Sequence, residues 1–222
     1  MNAETLEGAG RVLTPSAAGN MGFACIVDTE ITGLSWYWDE IIELGLLLFA
    51  YDVGTGRVRA VLDEYSGLRE PACPVTRGAY EKHRLAPADL KGHALDELRI
   101  ASVVDRAEIM ISHNVEFDLP FWQKHFPMLP KRPWVCSMKG IPWREWGHSR
   151  RGLQELLRSH GLRVSVAHRA ESDAGALLGL LSTSGPHEKT YLAEVLAGRR
   201  YTHLALDPGP RPLPVGDSAP VA

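Results

Sequence analysis

Residues 23–34 read FACIVDTEITGL, five apolar residues followed by two acids and a Thr-Gly turn. Because the apolar run is too short for an isolated helix and contains two β-branched residues, it predicts a strand buried on both faces. Side chains at alternate positions of a strand point to the same side, so Asp28 and Glu30 should project together from its end. Two neighbouring carboxylates repel each other unless a cation neutralises them or one keeps its proton, and hard oxygen ligands suit Mg²⁺ or Mn²⁺ better than zinc. Taken alone, however, an Asp-x-Glu pair is better explained as acids exposed to solvent at a strand end.

The overall composition indicates one folded domain of ordinary size, since the chain has 222 residues and is 45% hydrophobic. The formal net charge of −3 is unlike the basic surface of a protein that coats duplex nucleic acid. This net charge is compatible with an enzyme that binds a few nucleotides and obtains local positive charge from metal ions.

Cysteine usage indicates a reducing compartment. Cys25, Cys73 and Cys136 are odd in number and unclustered, so they form neither a disulfide framework nor a zinc-binding pattern. No apolar run approaches the roughly 18 residues of a membrane span, and the N-terminal segment lacks the apolar core of a secretion signal. We therefore expect a cytoplasmic protein with no membrane association.

The order of predicted elements indicates an α/β domain with a mixed sheet. Strands are predicted at residues 23–27, 41–51, 57–65, 108–112 and 134–136. Flanking helices are predicted at residues 94–106, from Leu119 with Pro120 in the first turn, and at residues 150–160, 169–181 and 186–196. The chain is accordingly divided into a flexible N-terminal segment (1–21), a folded domain (22–198) and a Pro- and Gly-rich, disordered C-terminal tail (199–222).

Two further acids occupy positions that this architecture would bring to the first pair. Asp118 lies just beyond the strand at residues 108–112, and in open α/β sheets such strand ends line the ligand crevice. Asp173 lies in a helix whose residues are small enough to pack tightly on the sheet, where an acid is costly unless it is paired or binds a metal. His168 precedes Asp173 by five residues, about 140° around a helix, so both reach one site only if His168 lies on the loop before that helix.

Four carboxylates and a histidine fit the metal-assisted hydrolysis of a phosphodiester. Two metal ions about 3.5–4 Å apart can hold the scissile phosphate, stabilise the leaving oxygen and lower the pKa of an attacking water. Histidine as a residue type titrates near neutrality and can take the proton of that water. Read separately, Asp118 is better explained as a helix N-cap and His168 as a surface histidine; their combination with the other acids favours the hydrolytic reading.

Three motifs stand in order along the chain: Asp28-Thr29-Glu30-Ile31-Thr32-Gly33-Leu34, then His113-Asn114-Val115-Glu116-Phe117-Asp118, then His168 with Asp173 five residues later. Their order and spacing resemble those of DnaQ-like 3′–5′ exonucleases of the histidine-containing (DEDDh) subgroup, over residues 23–181. The resemblance implies an RNase H-like fold, with a central mixed five-stranded sheet flanked by α-helices. It also implies His168 as general base, release of nucleoside 5′-monophosphates, and two Mg²⁺ or Mn²⁺ ions held by Asp28, Glu30, Asp118 and Asp173.

The resemblance further implies contacts with the terminal nucleotide from Thr29, Gly33, Leu34, Asn114 and Phe117. His83 stands where the family often has His-Gly followed by an aliphatic residue, but here Arg84 replaces the glycine. The loop residues Trp36 and Trp38 fit two roles equally well, stacking on an unpaired base or covering the edge of the sheet.

The sequence therefore predicts a metal-dependent 3′–5′ exonuclease acting on single-stranded 3′ ends, with DNA favoured, and with a DNA polymerase or repair complex as a candidate partner. One alternative is an RNA-directed enzyme, oligoribonuclease-like or tRNA-trimming, because the sequence identifies no residue that reads a 2′-hydroxyl. Another is a non-catalytic exonuclease fold that serves as a scaffold for a polymerase or repair partner. The intact acids and His168 favour the enzyme over the scaffold.

Overall fold

The computed structural model of the protein describes residues 20–162 and 168–204. Its strands are β1 (Met21–Ile31), β2 (Ile41–Asp52), β3 (Val58–Leu68), β4 (Ile109–Ser112), β5 (Trp134–Cys136) and β6 (Arg200–Tyr201). Its helices are α1 (Arg77–His83), α2 (Pro87–Leu90), α3 (Glu97–Arg106), α4 (Val115–His125), α5 (Ser137–Gly140), α6 (Leu153–Ser159), α7 (Ala170–Leu181) and α8 (Tyr191–Ala197).

The strands form one mixed sheet in the order β3-β2-β1-β4-β5-β6. The meander β1-β2-β3 is antiparallel, β4 and β5 lie parallel to β1, and β6 returns antiparallel to β5. The predicted mixed sheet with flanking helices is confirmed. Over the described residues it has six strands rather than five, because the two-residue strand β6 extends the edge beyond β5.

The chain remains ordered beyond the predicted end of the folded domain. Arg200 and Tyr201 pair with Val135 and Trp134, so sheet structure continues past residue 198. Residues 205–222 of the predicted tail lie outside the described residues, as do residues 1–19 of the predicted N-terminal segment.

Strand β1 is buried on both faces, as predicted. Because successive side chains of a strand alternate in direction, Cys25 and Val27 join a core that includes α3 and α4. Ala24 and Ile26 join a core on the opposite face, formed with α6, α7 and α8. The helices therefore cover both faces of the sheet and leave the strand ends as the place for a ligand.

Helix α4 begins earlier than predicted, and Pro120 is not in its first turn. The helix starts at Val115, so Pro120 lies in its interior. Proline has no N–H to donate to the carbonyl of Glu116, so the helix loses one hydrogen bond there. Pro120 and the neighbouring Leu119 are both buried, and this packing offsets the loss. Asp118 consequently lies within the first turn and is not the N-cap.

Helices α3, α6 and α8 begin later than predicted, and in α3 and α8 a capping side chain sets the start. Helix α3 follows Asp96, whose carboxylate accepts from the N–H of Arg99. Helix α8 follows Thr190, whose hydroxyl accepts from the N–H of Ala193. Such caps fix a helix start more firmly than apolar spacing does.

Within the described ranges, no helix combines the length and apolarity needed to cross a membrane. The three cysteines are free thiols, and Cys25 and Cys136 are buried. Burial raises the pKa of the Cys25 thiol to about 12, so this group is inert at neutral pH. The cytoplasmic location expected from cysteine usage stays a prediction.

Candidate active site

The topology directs acids from three segments to one edge of the sheet. Because β1 and β4 are parallel neighbours, their carboxyl ends lie at the same edge. Asp28 and Glu30 lie in the last four residues of β1, and Asp118 lies on α4, directly after β4. The start of α7 packs against β1 and β2 and brings Asp173 to the same edge.

Asp118 is buried and held by two hydroxyl groups. Thr29 Oγ1 donates to Asp118 Oδ1 at 2.8 Å, and Ser112 Oγ donates to Oδ2 at 2.8 Å. Burial raises the pKa of Asp118 to about 6, and these two hydrogen bonds oppose that shift. The two hydroxyl groups therefore fix the orientation of the carboxylate before any ligand arrives.

Glu30, His168 and Asp173 form a compact group whose potential ligand atoms all lie within 4.8 Å of one another. His168 precedes α7 rather than belonging to it, in agreement with the predicted loop position. Its backbone has a φ of 60°, a left-handed conformation that is uncommon for residues other than glycine. Its N–H donates to Asp173 Oδ2 at 3.2 Å, while Gln154 Nε2 donates to Asp173 Oδ1 at 2.9 Å.

The electrostatics of the site are those of crowded carboxylates. Burial raises the pKa of Asp28 well above its usual range, and the charges of Asp118, Glu30 and Asp173 raise it further. Burial and the charge of Asp173 raise the pKa of Glu30 to about 8. Burial also raises the pKa of Asp173, so all four acids resist ionisation in the metal-free protein. Carboxylate oxygens are a donor set that divalent ions such as Mg²⁺ and Mn²⁺ accept, and such ions would relieve this repulsion.

Three of the residues expected to contact the terminal nucleotide lie at the end of β1. Thr29 is buried with its hydroxyl engaged by Asp118. At Gly33 a Cβ would lie 2.6 Å from the carboxylate oxygens of Asp39, so a side chain there would collide. Leu34 follows with 78% of its surface exposed, which leaves it accessible to a ligand.

The other two expected contacts lie at the start of α4. Asn114 precedes the helix and is half-buried, and its side chain makes no capping hydrogen bond. Phe117 is also half-buried and packs on Phe121, with 5.5 Å between ring centroids. Both residues retain accessible surface within one turn of Asp118.

His83 lies at the end of α1, apart from the two segments that carry the other five residues, and 4% of its surface is exposed. Its Nδ1 accepts from the N–H of Leu85 at 3.0 Å, and burial lowers the pKa of its ring. The next residue, Arg84, adopts a left-handed φ of 61° and caps α1. Glycine would adopt this conformation without strain, so the departure from the family pattern has a structural cost. A contact between His83 and the terminal nucleotide stays a prediction.

The aromatic residues of the loop after β1 differ in their exposure to solvent. Trp36 is half-buried and packs against the core, whereas Tyr37 and Trp38 are exposed. Lys124 of α4 holds the loop, because its Nζ donates to the carbonyl of Tyr37 at 3.0 Å and to that of Asp39 at 2.8 Å. Trp36 thus contributes to the core, while base stacking and covering of the sheet edge by Trp36 and Trp38 stay predictions.

Several site residues were not identified from the sequence. Ser112 and Gln154, which orient two of the acids, occupy positions with no distinguishing sequence signal. Glu43 gave a signal that could have been used, since it is the only charged residue between Ile41 and Tyr51. It lies opposite Glu30 and pairs with Arg169, which directly follows His168.

A family model described as Exonuclease (RNase T) matches residues 25–181. The chain is similar to the DNA polymerase III subunit epsilon of Treponema pallidum, with 26% identity over 179 residues, which is 72% of this chain and 75% of that protein. It is also similar to the 3′-5′ exonuclease DinG of Staphylococcus aureus, with 25% identity over 201 residues. That match spans 84% of this chain but only 20% of DinG.

Solved structures share the fold. Exonuclease X in complex with 5′-overhanging duplex DNA has a TM-score of 0.51 and 24% identity, and the match covers 77% of this chain and 99% of that one. Exonuclease I of E. coli in complex with a dT13 oligonucleotide has a TM-score of 0.59 and 15% identity, over 72% of this chain and 40% of that one. At these identities the likeness concerns the fold alone.

Proposed function

Because this chain belongs to the exonuclease family, we propose that it hydrolyses phosphodiester bonds at the 3′ end of single-stranded nucleic acid, DNA in preference to RNA, and releases nucleoside 5′-monophosphates. The observation that carries this proposal is the convergence of Asp28, Glu30, Asp118 and Asp173 at one edge of the sheet, with His168 beside Glu30 and Asp173. Carboxyl groups crowded to this degree are typical of a site that binds cations.

In the proposed site, Asp28, Glu30, Asp118 and Asp173 would hold two divalent ions, Mg²⁺ or Mn²⁺. When bound, such ions supply charge stabilisation for the leaving oxygen and a lowered pKa for the attacking water. The contribution of the chain is to orient the acids, and the hydroxyl groups of Thr29 and Ser112 do this for Asp118. Outer hydrogen bonds of this kind typically change metal affinity or activity by about 10–100-fold when removed.

His168 is proposed to take the proton of the attacking water. Its side chain is exposed on the turn before α7, within reach of the Glu30 and Asp173 carboxylates. A general base must come within hydrogen-bond distance of the proton that it removes, and the hydrogen bond from the His168 N–H to Asp173 restricts the turn that carries the ring.

The terminal nucleotide is proposed to bind between the end of β1 and the start of α4. Gly33 and Leu34 would line one side of this seat, and Asn114 and Phe117 would line the other, with Thr29 beneath. The exposed side chain of Leu34 offers an apolar surface to the terminal base.

DNA is proposed as the substrate by likeness to related proteins that bind DNA or belong to a DNA polymerase. Exonuclease I was solved with a dT13 oligonucleotide, and the T. pallidum relative is a subunit of DNA polymerase III. By the same likeness, a DNA polymerase or repair complex is the partner to test. Because the chain spans only 20% of DinG, the proposal is limited to the exonuclease reaction.

The test is digestion of 3′-labelled DNA and RNA oligonucleotides of one sequence, single-stranded and duplex, with Mg²⁺, Mn²⁺ or EDTA. We expect mononucleotides from single-stranded DNA with either ion and none with EDTA. Faster release from RNA would favour the RNA-directed alternative instead. Failure to degrade any strand with Mn²⁺ present would favour a non-catalytic scaffold.

A further inference from the structure

Glu43 is a fifth acid beside the proposed site, and its carboxylate is almost completely buried. It lies in β2 directly opposite Glu30, and opposed residues of antiparallel strands share one face of the sheet. Only 1% of its side chain is exposed. A buried carboxylate is very costly unless it is paired and hydrogen-bonded, so its partners indicate what this acid does.

The partner of Glu43 is Arg169. Arg169 Nε donates to Glu43 Oε1 at 2.9 Å and to Oε2 at 3.1 Å, and Nη2 lies 2.8 Å from Oε1. Arginine presents a planar fork of donors that matches a carboxylate, so this pair fixes direction as well as distance. The pairing also offsets a negative charge that would otherwise add to the four acids of the site.

Glu43 also caps helix α7. The N–H of Ala170, the first residue of α7, donates to Glu43 Oε2 at 3.1 Å. The first N–H groups of a helix have no partner within the helix, and the residue at the N-cap, Arg169, supplies no side-chain acceptor. A carboxylate at this end is also favoured by the helix dipole.

The close approach of α7 to β2 makes this connection rigid. A Cβ at Gly45, two residues after Glu43, would lie 2.5 Å from the carbonyl of Ala170. The start of the helix therefore rests directly on the strand, with no space for a side chain between them.

We infer that Glu43 and Arg169 form a positioning pair, which holds the turn of His168 at the acids of the site. This inference rests on the proposed function and names residues that act through His168. His168 directly precedes Arg169 and has a left-handed backbone, which is unfavourable for a residue with a Cβ. Glu43 restrains this turn from its C-terminal side, and Asp173 restrains it through the N–H of His168.

The test compares Glu43→Gln and Arg169→Lys with the wild type and with the control Arg99→Ala. The control breaks a different ion pair, between Arg99 of α3 and Asp63 of β3. Glu43→Gln keeps the shape of the side chain but loses the charge, and we expect kcat to fall by about 10–100-fold while KM for the oligonucleotide changes little. Arg169→Lys keeps the charge but not the planar fork, so its kcat should lie between that of the wild type and that of Glu43→Gln. Arg99→Ala should lower the melting temperature without changing kcat.

A double-mutant cycle with His168→Ala separates positioning from general destabilisation. If Glu43 acts through His168, Glu43→Gln should reduce kcat by about twofold or less when His168 is already absent, because the two substitutions then share one effect. Additive losses of kcat would overturn the inference. If Glu43→Gln does not fold, Arg169→Lys takes its place in the cycle.

An NMR measurement on the metal-free protein distinguishes failure of this inference from failure of the proposed function. The imidazole signal of His168, assigned by its loss in His168→Ala, should shift in Glu43→Gln and Arg169→Lys and stay in place in Arg99→Ala. An unshifted signal in both variants would overturn the positioning pair whether or not the protein degrades nucleic acid. A shifted signal in a protein without nuclease activity would uphold the pair and refute only the exonuclease proposal.

Discussion

Asp118 is buried, yet each of its oxygens accepts a hydrogen bond from a hydroxyl group, one on β1 and one on β4. Thr29 and Ser112 thereby fix the carboxylate from two neighbouring strands. Each carboxylate oxygen offers more than one lone pair, so these bonds leave room for a cation. At the scale of the residue, the proposed site thus contains two acids, Asp118 and Asp173, whose orientations are fixed by hydrogen bonds before the ligand binds.

The first prediction concerns this carboxylate. Asp118→Asn preserves the shape of the side chain but removes its charge, and we expect release of mononucleotides to fall by more than about 100-fold, beyond the usual cost of losing an outer hydrogen bond. Ser112→Ala, which removes only one donor, should reduce it by about 10–100-fold. Both rates are measured on a labelled single strand with Mn²⁺. If Asp118→Asn keeps most of the activity, Asp118 is not a metal ligand.

The second prediction concerns His168. His168→Ala should slow hydrolysis by about 10²–10⁴-fold, the usual contribution of a general base, and should leave Mn²⁺ affinity largely intact. Calorimetric titration with Mn²⁺ and a pH profile of kcat measure the two effects separately. A pH profile and rate equal to those of the wild type would show that another group takes the proton.

At the scale of the element, capping side chains and close contacts explain both the predicted and the unpredicted features. The buried strands were predictable because apolar runs with acids at their ends leave few alternatives. The start of α4 was not predictable from the sequence, because Pro120 is buried in the helix interior and this burial overrides the usual placement of proline in a first turn. The roles of Glu43 and Gln154 depend on how α7 packs against distant segments, and local sequence patterns carry no information about such contacts.

The third prediction concerns the end of helix α1. Arg84 is its C-cap and adopts a left-handed φ of 61°, a conformation that glycine accepts without a Cβ penalty. We expect Arg84→Gly to raise the free energy of unfolding by about 1 kcal/mol, or the melting temperature by about 2–4 °C. Arg84→Ala keeps the Cβ and is the matched control, so it should give no gain in calorimetry. Equal melting temperatures for the two variants would contradict this explanation.

At the scale of the whole molecule, the site reduces the stability of the metal-free protein. Glu30 has an ordinary pKa of 4.5 and a folded-state pKa of about 8, so between these values the folded protein holds a proton that the unfolded chain has lost. Stability from this group is therefore lost as pH rises towards 8. Burial also lowers the pKa values of several histidines, which makes stability rise with pH below about pH 6.5. Measurements above that pH avoid this opposite contribution.

The fourth prediction follows from the loss of stability that ionisation of Glu30 causes as pH rises. Between pH 7 and 8.5 in EDTA, the melting temperature of the wild type should fall, and that of Glu30→Gln should fall less, because the amide cannot ionise. Saturating Mn²⁺ should remove the decline in the wild type by binding the ionised acids. Scanning calorimetry at both pH values provides the measurement. Parallel declines in EDTA for wild type and variant would show that Glu30 does not carry this pH dependence.

The most direct test of the convergent acidic site is anomalous X-ray diffraction from crystals grown with Mn²⁺. We expect two anomalous peaks, about 3.5–4 Å apart, within ligand distance of Asp28, Glu30, Asp118 and Asp173. Manganese bound elsewhere on the protein, with these four carboxylates free of it, would contradict the account.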